Sequence, residues 1–134
     1  MNIHIKIDKV YSFPKKNSVK IEFDMPDTFR AFPRTQGVYI FHKGQVDKIW
    51  TSKDRILYIG AANREKLRSR VKKNSEAKLA QLCHTGKINS DVYVSYHSFD
   101  GKVPDYLPFL VEGYLLCRYE KKFNCLPNLN IGRR

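Results

Sequence analysis

Glu112 stands in an otherwise apolar stretch, LPFLVEGYLLC. A carboxylate in such surroundings is costly unless a metal or a cation compensates it. Arg68 and Arg70 lie in LRSRV, and a guanidinium can fork onto a phosphate and stabilise developing negative charge. Tyr39 closes the segment GVY and Tyr58 opens the segment YIG, while Asn124 follows Glu112 by twelve positions. Hydrolysis of a phosphodiester needs a nucleophilic water, counter-charge for the transition state and help for the leaving oxygen. A hard divalent cation on one carboxylate suits that chemistry, because Mg²⁺ keeps several waters and takes few protein ligands. A free phenol, with a pKa of about 10, is a poor base at neutral pH and needs a metal or cation nearby. With that help Tyr39 would act as, or relay to, a general base, and Tyr58 would position water or phosphate. Each residue also has a plainer reading. Strand tyrosines usually pack, a helical Glu can face solvent, and Asn124 can cap a helix.

These residues depend on elements that the local pattern predicts. NIHIKID at 2–8 and VKIEFDM at 19–25 alternate with period two, and the turn-forming FPKKNS between them predicts a hairpin. GVYIFHK, RILYIG and DVYVSYHSF are β-branched and aromatic and read as three further strands, the first two antiparallel. A basic helix is predicted from about Arg64 to Lys73, with Leu67 and Val71 on one face. A second short helix is expected at 75–86, capped by Ser75 and ended by Gly86, and a third from about Pro108 to Lys121. Gly60 would let the chain turn out of its strand.

The ordered set of motifs resembles the GIY-YIG nuclease family. Gly37-Val38-Tyr39 matches the first signature with valine for isoleucine, and Tyr58-Ile59-Gly60 matches the second. Leu67, Arg70 and Val71 fit the helical pattern that follows, which makes Arg70 a better match than Arg68. Glu112, Leu115, Leu116, Tyr119, Phe123 and Asn124 fit that of the last helix. The likeness runs over about residues 35–126. Departures are the eighteen residues between Tyr39 and Tyr58, Asn74 where many members have histidine, and Lys121 for a frequent proline.

The resemblance implies an α+β fold, with a central three-stranded antiparallel sheet flanked by helices in residues 35–134. Residues 1–34 would form an N-terminal β-hairpin extension. It implies an endonuclease that hydrolyses DNA with Mg²⁺ or Mn²⁺ on Glu112, served by Tyr39, Tyr58, Arg70 and Asn124. A nucleic-acid-binding module without turnover, or a nuclease subunit dependent on a partner, is the alternative.

Charge points the same way. Twenty-five Lys and Arg against thirteen Asp and Glu give +12, with a pI near 9.7, which favours a polyanionic partner. Lys43, Arg64, Lys66, Arg68, Lys72 and Lys73 are the expected phosphate contacts, with the tail Gly132-Arg133-Arg134 adding to them. His42 is placed near the phosphate with Lys43, and His84 and His97 are read as structural or surface residues. DNA, single- or double-stranded, is the expected partner, alongside a homodimer mate or a specificity-giving protein. Three cysteines without CxxC spacing argue for free thiols. No apolar run approaches the roughly 20 residues of a membrane span, and a cytoplasmic location without membrane contact is expected.

Overall fold

The computed structural model describes residues 11–22, 26–79, 82 and 91–133. NIHIKID, residues 83–90 with Cys83 and His84, and the side chains of Arg133 and Arg134 lie outside the described residues. Among these residues four strands form one antiparallel sheet in the order β1-β4-β2-β3. They are β1 (Ser18–Lys20), β2 (Gly37–Lys43), β3 (Ile56–Ala62) and β4 (Val92–Ser98). The three strands read from residues 37–99 are all present. The fourth comes from the N-terminal region: β1 pairs with β4, Val19 opposite Val94.

β2 and β3 are apolar on both faces because a helix covers each side. Helix α1 (Leu67–Asn74) packs over Tyr39, Phe41, Tyr58 and Ala62 through Leu67 and Val71. Helix α2 (Tyr106–Phe123) packs over Val38, Ile40, Ile59 and Ala61 through Leu107, Val111, Leu115 and Tyr119. Neighbouring strand residues point to opposite faces, so each strand feeds both cores. A shift of register between Phe41 and His42 sets Leu57 and Tyr58 in the same core.

Backbone from elsewhere in the fold starts α1. The Leu67 N–H donates to the Thr35 carbonyl at 2.9 Å and the Arg68 N–H to that of Pro33 at 3.2 Å, satisfying donors that a helix start leaves open. The helix therefore begins at Leu67 and not at Arg64. Ser75 is not the cap of a new helix: α1 runs straight into a wider turn, Ser75–Leu79, and Ser75 keeps helical dihedrals. In α2, Pro108 sits in the first turn, where its missing N–H costs nothing.

Among the described residues β3 is an edge strand, yet it is covered. Asn130, in a 3-10 turn at Asn128–Arg133, donates its amide to the Ile59 carbonyl at 2.9 Å. Its side-chain oxygen accepts from the Ile59 N–H at 3.0 Å. One side chain thus replaces a peptide group of a missing strand. Among the described residues no helix is long and apolar enough to cross a membrane.

His42 faces the interior and not an anion. It is fully buried, with Nε2 2.7 Å from the Ser95 hydroxyl and Nδ1 3.1 Å from the Gly44 carbonyl. A carbonyl only accepts, so Nδ1 carries the proton and Nε2 accepts from Ser95. Burial pushes the His42 pKa down to about 4. An unfolded histidine takes up its proton near pH 6.5 and the folded one near pH 4, so stability falls as the pH drops through that window. Between pH 7 and 4.5 the loss is expected to reach roughly 2.5 kcal/mol. Urea unfolding at the two pH values measures it, and His42→Gln should shrink the difference by that amount.

Candidate functional site

The two signature tyrosines meet over a glycine. Tyr39 pairs with Gly60 across the β2–β3 ladder, and Tyr58 lies two residues before Gly60 on the same face. Their ring centroids are 6.2 Å apart. A Cβ on Gly60 would stand 2.6 Å from Tyr39 Cζ, 2.7 Å from its hydroxyl oxygen and 2.7 Å from Tyr58 Cε2. Gly60 sits in mid-strand, so it does not turn the chain out of the sheet. It leaves room for the two rings to close over the backbone.

Both tyrosines are fully buried. On α1, Asn74 falls seven residues after Leu67 on the sheet-facing side, and its amide donates to the Tyr39 hydroxyl oxygen. Arg70, one turn earlier, lies against the same phenol. Burial pushes the Tyr39 pKa well up, helped by neighbouring Tyr58, while Arg70 and Asn74 pull the other way with less effect. Tyr39 therefore holds its proton at neutral pH and cannot serve unaided as a base. Its placement suits fixing Arg70. Lys78 holds its ammonium 5.0 Å from the centre of the Tyr58 ring.

Arg70 is only half-buried and lines an open cleft of about 500 Å³. Ala61, Asn63, Arg64 and Glu65 at the exit of β3 form one side with it, and Asp105, just before α2, with Phe109 and Glu112 of α2 form the other. The two helices cover opposite sheet faces, and both border the cleft where β3 ends. Arg70 and Glu112, forty-two positions apart, thus share one cleft. Neither tyrosine lines it. Tyr39 sits behind Arg70. A guanidinium and a carboxylate on one cleft can hold an anion and a cation, or an anion and a proton, together.

The other expected residues divide. Arg64 lines the cleft and Lys72 is exposed. Lys73 pairs with Glu65 at 2.8 Å, and this contact is the main reason the Glu65 pKa is lowered. Lys66 donates to the Asn63 carbonyl at 3.1 Å. Arg68 is a latch: its Nε donates to the Phe32 carbonyl at 2.9 Å and its terminal nitrogen to that of Arg30 at 3.2 Å. Lys43 ends β2 at the far side of the sheet from Gly37. Asn124 is the left-handed residue that closes α2, with φ 59° and its N–H on the Glu120 carbonyl at 2.8 Å. Twelve helical residues put it about 18 Å from Glu112, so it does not join the cleft.

Two buried amides went unread. Asn130 holds Ile59, the residue between Tyr58 and Gly60. Gln36 donates to Asn63 Oδ1 at 2.7 Å and to the Val103 carbonyl at 3.1 Å, and accepts from the Val103 N–H at 2.9 Å. It ties the start of β2 to the cleft rim and to the loop before α2. The only hint in the sequence is that Gln36 abuts the GVY segment and that Asn130 follows Pro127 by three. No family model matches the chain, and neither does any curated protein or solved structure.

Proposed function

We propose that this chain is a metal-dependent endonuclease of the GIY-YIG kind, hydrolysing phosphodiester bonds in DNA. The observation that carries the reading is the meeting of Arg70 and Glu112 in one cleft, with Arg70 backed by Tyr39 and Asn74. In this reading Arg70 forks onto the scissile phosphate and stabilises the charge that builds on it. Glu112 would hold the cation. Among the described residues no group of three or more His, Cys, Asp and Glu could hold a metal by itself. One carboxylate with waters fits Mg²⁺ or Mn²⁺ better than an ion that needs a full protein cage. Such an ion, when bound, supplies Lewis-acid stabilisation and an acidified water. Arg64 at the rim and exposed Lys72 add phosphate contacts without reading sequence.

One observation favours the rival reading of a binding module without turnover. Asn74 stands beside Tyr39 with an amide, which neither takes nor gives a proton at neutral pH. The decisive experiment incubates plasmid, duplex, branched and single-stranded DNA with Mg²⁺, with Mn²⁺ and with chelator. Metal-stimulated cleavage that the chelator stops is expected. Binding that weakens with salt, with no cleavage of any substrate, would instead select the binding module.

A further inference from the structure

We infer that the outward face of α2 is a homodimer interface, two copies crossing antiparallel at Gly113. This inference is independent of the nuclease reading. Leu107, Val111, Leu115 and Tyr119 already bury one side of the helix. The opposite side carries a second apolar strip: Tyr106 is 64% exposed, Phe109 55%, Leu110 60% and Tyr114 44%. Spacings of three and four along the helix make these side chains neighbours, and Cys117 continues the strip. Single exposed apolar residues are ordinary, but a contiguous strip marks an interaction surface.

Gly113 lies at the centre of that strip. Among the described residues a Cβ there would meet nothing within 4 Å, so none of them requires glycine. Glycine in a helix interior is destabilising relative to alanine. A partner backbone approaching closely at this point accounts for the residue.

The strip is self-complementary, which singles out a second copy as the partner. In an antiparallel pair crossing at Gly113, a residue n positions after it faces one n positions before it. Cys117 then lies opposite Phe109 and Lys121 opposite Asp105, each contact made twice as two-fold symmetry requires. An apolar centre closed by a Lys–Asp pair at each end is the anatomy of a protein interface. Nucleic acid fits less well, because the centre of the strip carries no cation and Asp105, Glu112 and Glu120 border it. Phe109 and Asp105 also line the cleft, so the partner would stand at its rim.

Two +12 copies repel at long range. The dimer should therefore tighten as salt rises, the reverse of a nucleic-acid contact. Sedimentation of the full chain across concentration, at low and high salt, should show a species of twice 15.7 kDa that grows with both. Leu110→Lys, at an exposed site, should remain monomeric and keep the melting temperature of the dilute wild-type chain. Gly113→Ala should weaken association at least tenfold while raising the melting temperature of the dilute protein. In a background of Cys83→Ser and Cys125→Ser, Phe109→Cys should give an intermolecular disulfide with Cys117 on mild oxidation. Cys117 alone should not, because its two copies would lie about 12 Å apart along the helices. A chain that stays monomeric at every concentration and salt overturns the proposal. So does a dimer that Leu110→Lys leaves intact. If the monomeric chain loses DNA binding on Leu110→Lys, the strip belongs to nucleic acid instead.

Discussion

Gly37→Ala is expected to destabilise the fold by roughly 3 kcal/mol or more, enough to unfold much of a marginal domain. A Cβ at this position would stand 2.2 Å from the His97 carbonyl oxygen, 3.2 Å from its carbon and 2.8 Å from Leu67 Cδ1. The leucine methyl can swing aside, but the carbonyl cannot. It belongs to β4, which pairs with β2 from Gly37↔Ser98 to Lys43↔Val92, at the centre of the sheet. Moving it far enough breaks ladder hydrogen bonds and pulls Leu67, the first residue of α1, away from its core. Gly60→Ala should also be costly, but its Cβ would strike two rings and not backbone, so part of the strain can relax through side-chain movement. Gly113→Ala should stabilise the monomer, because none of the described residues opposes the added carbon. Denaturant unfolding of the three variants should therefore rank Gly37→Ala below Gly60→Ala and both below wild type, with Gly113→Ala above it. A Gly37→Ala variant within 1 kcal/mol of wild type would show that the sheet yields at this point.

The same contacts explain which features a reader of the sequence could find. GVYIF, RILYIG and DVYVSYHSF are visible because strand-forming residues announce themselves locally. That β1 pairs with β4 is not visible, since register depends on partners far along the chain. Leu67 and Val71 mark the buried face of α1, but its first turn is set by the carbonyls of Thr35 and Pro33, over thirty positions upstream. Ser75 carries a cap signal that the helix ignores, because α1 passes through it without a break. Arg70 and Glu112 could be named from motif order alone. The work of His42, Gln36 and Asn130 could not. A buried polar side chain is defined by whichever polar group it satisfies, and the Ser95 hydroxyl and the backbone groups of Val103 and Ile59 lie far away in sequence. Asn124 illustrates the converse. Its place after α2 allowed a cap, and the left-handed backbone makes it one.

On the nuclease reading, Arg70→Lys should cut the rate of DNA cleavage by about 100-fold or more while leaving DNA affinity nearly unchanged. Lysine keeps the charge, so the phosphate contacts that dominate salt-dependent binding survive. What it loses is the fork. Arg70 lies against the Tyr39 phenol while lining the cleft, and an ammonium cannot reproduce that rigid double contact. Glu112→Gln should abolish cleavage more completely and leave affinity equal or higher, since it removes negative charge from a cleft that meets a polyanion. Tyr39→Phe separates the two tasks open to that phenol. The ring would still close over Gly60, so the fold should hold, but Arg70 and Asn74 would lose a shared oxygen. With Tyr39 as the support of Arg70, the rate should fall about tenfold and the pH profile keep its shape. With Tyr39 as the base, the loss should match that of Glu112→Gln and a limb of the profile should vanish. The first outcome is expected, because a phenol buried behind the cleft and held above its ordinary pKa is built to keep its proton.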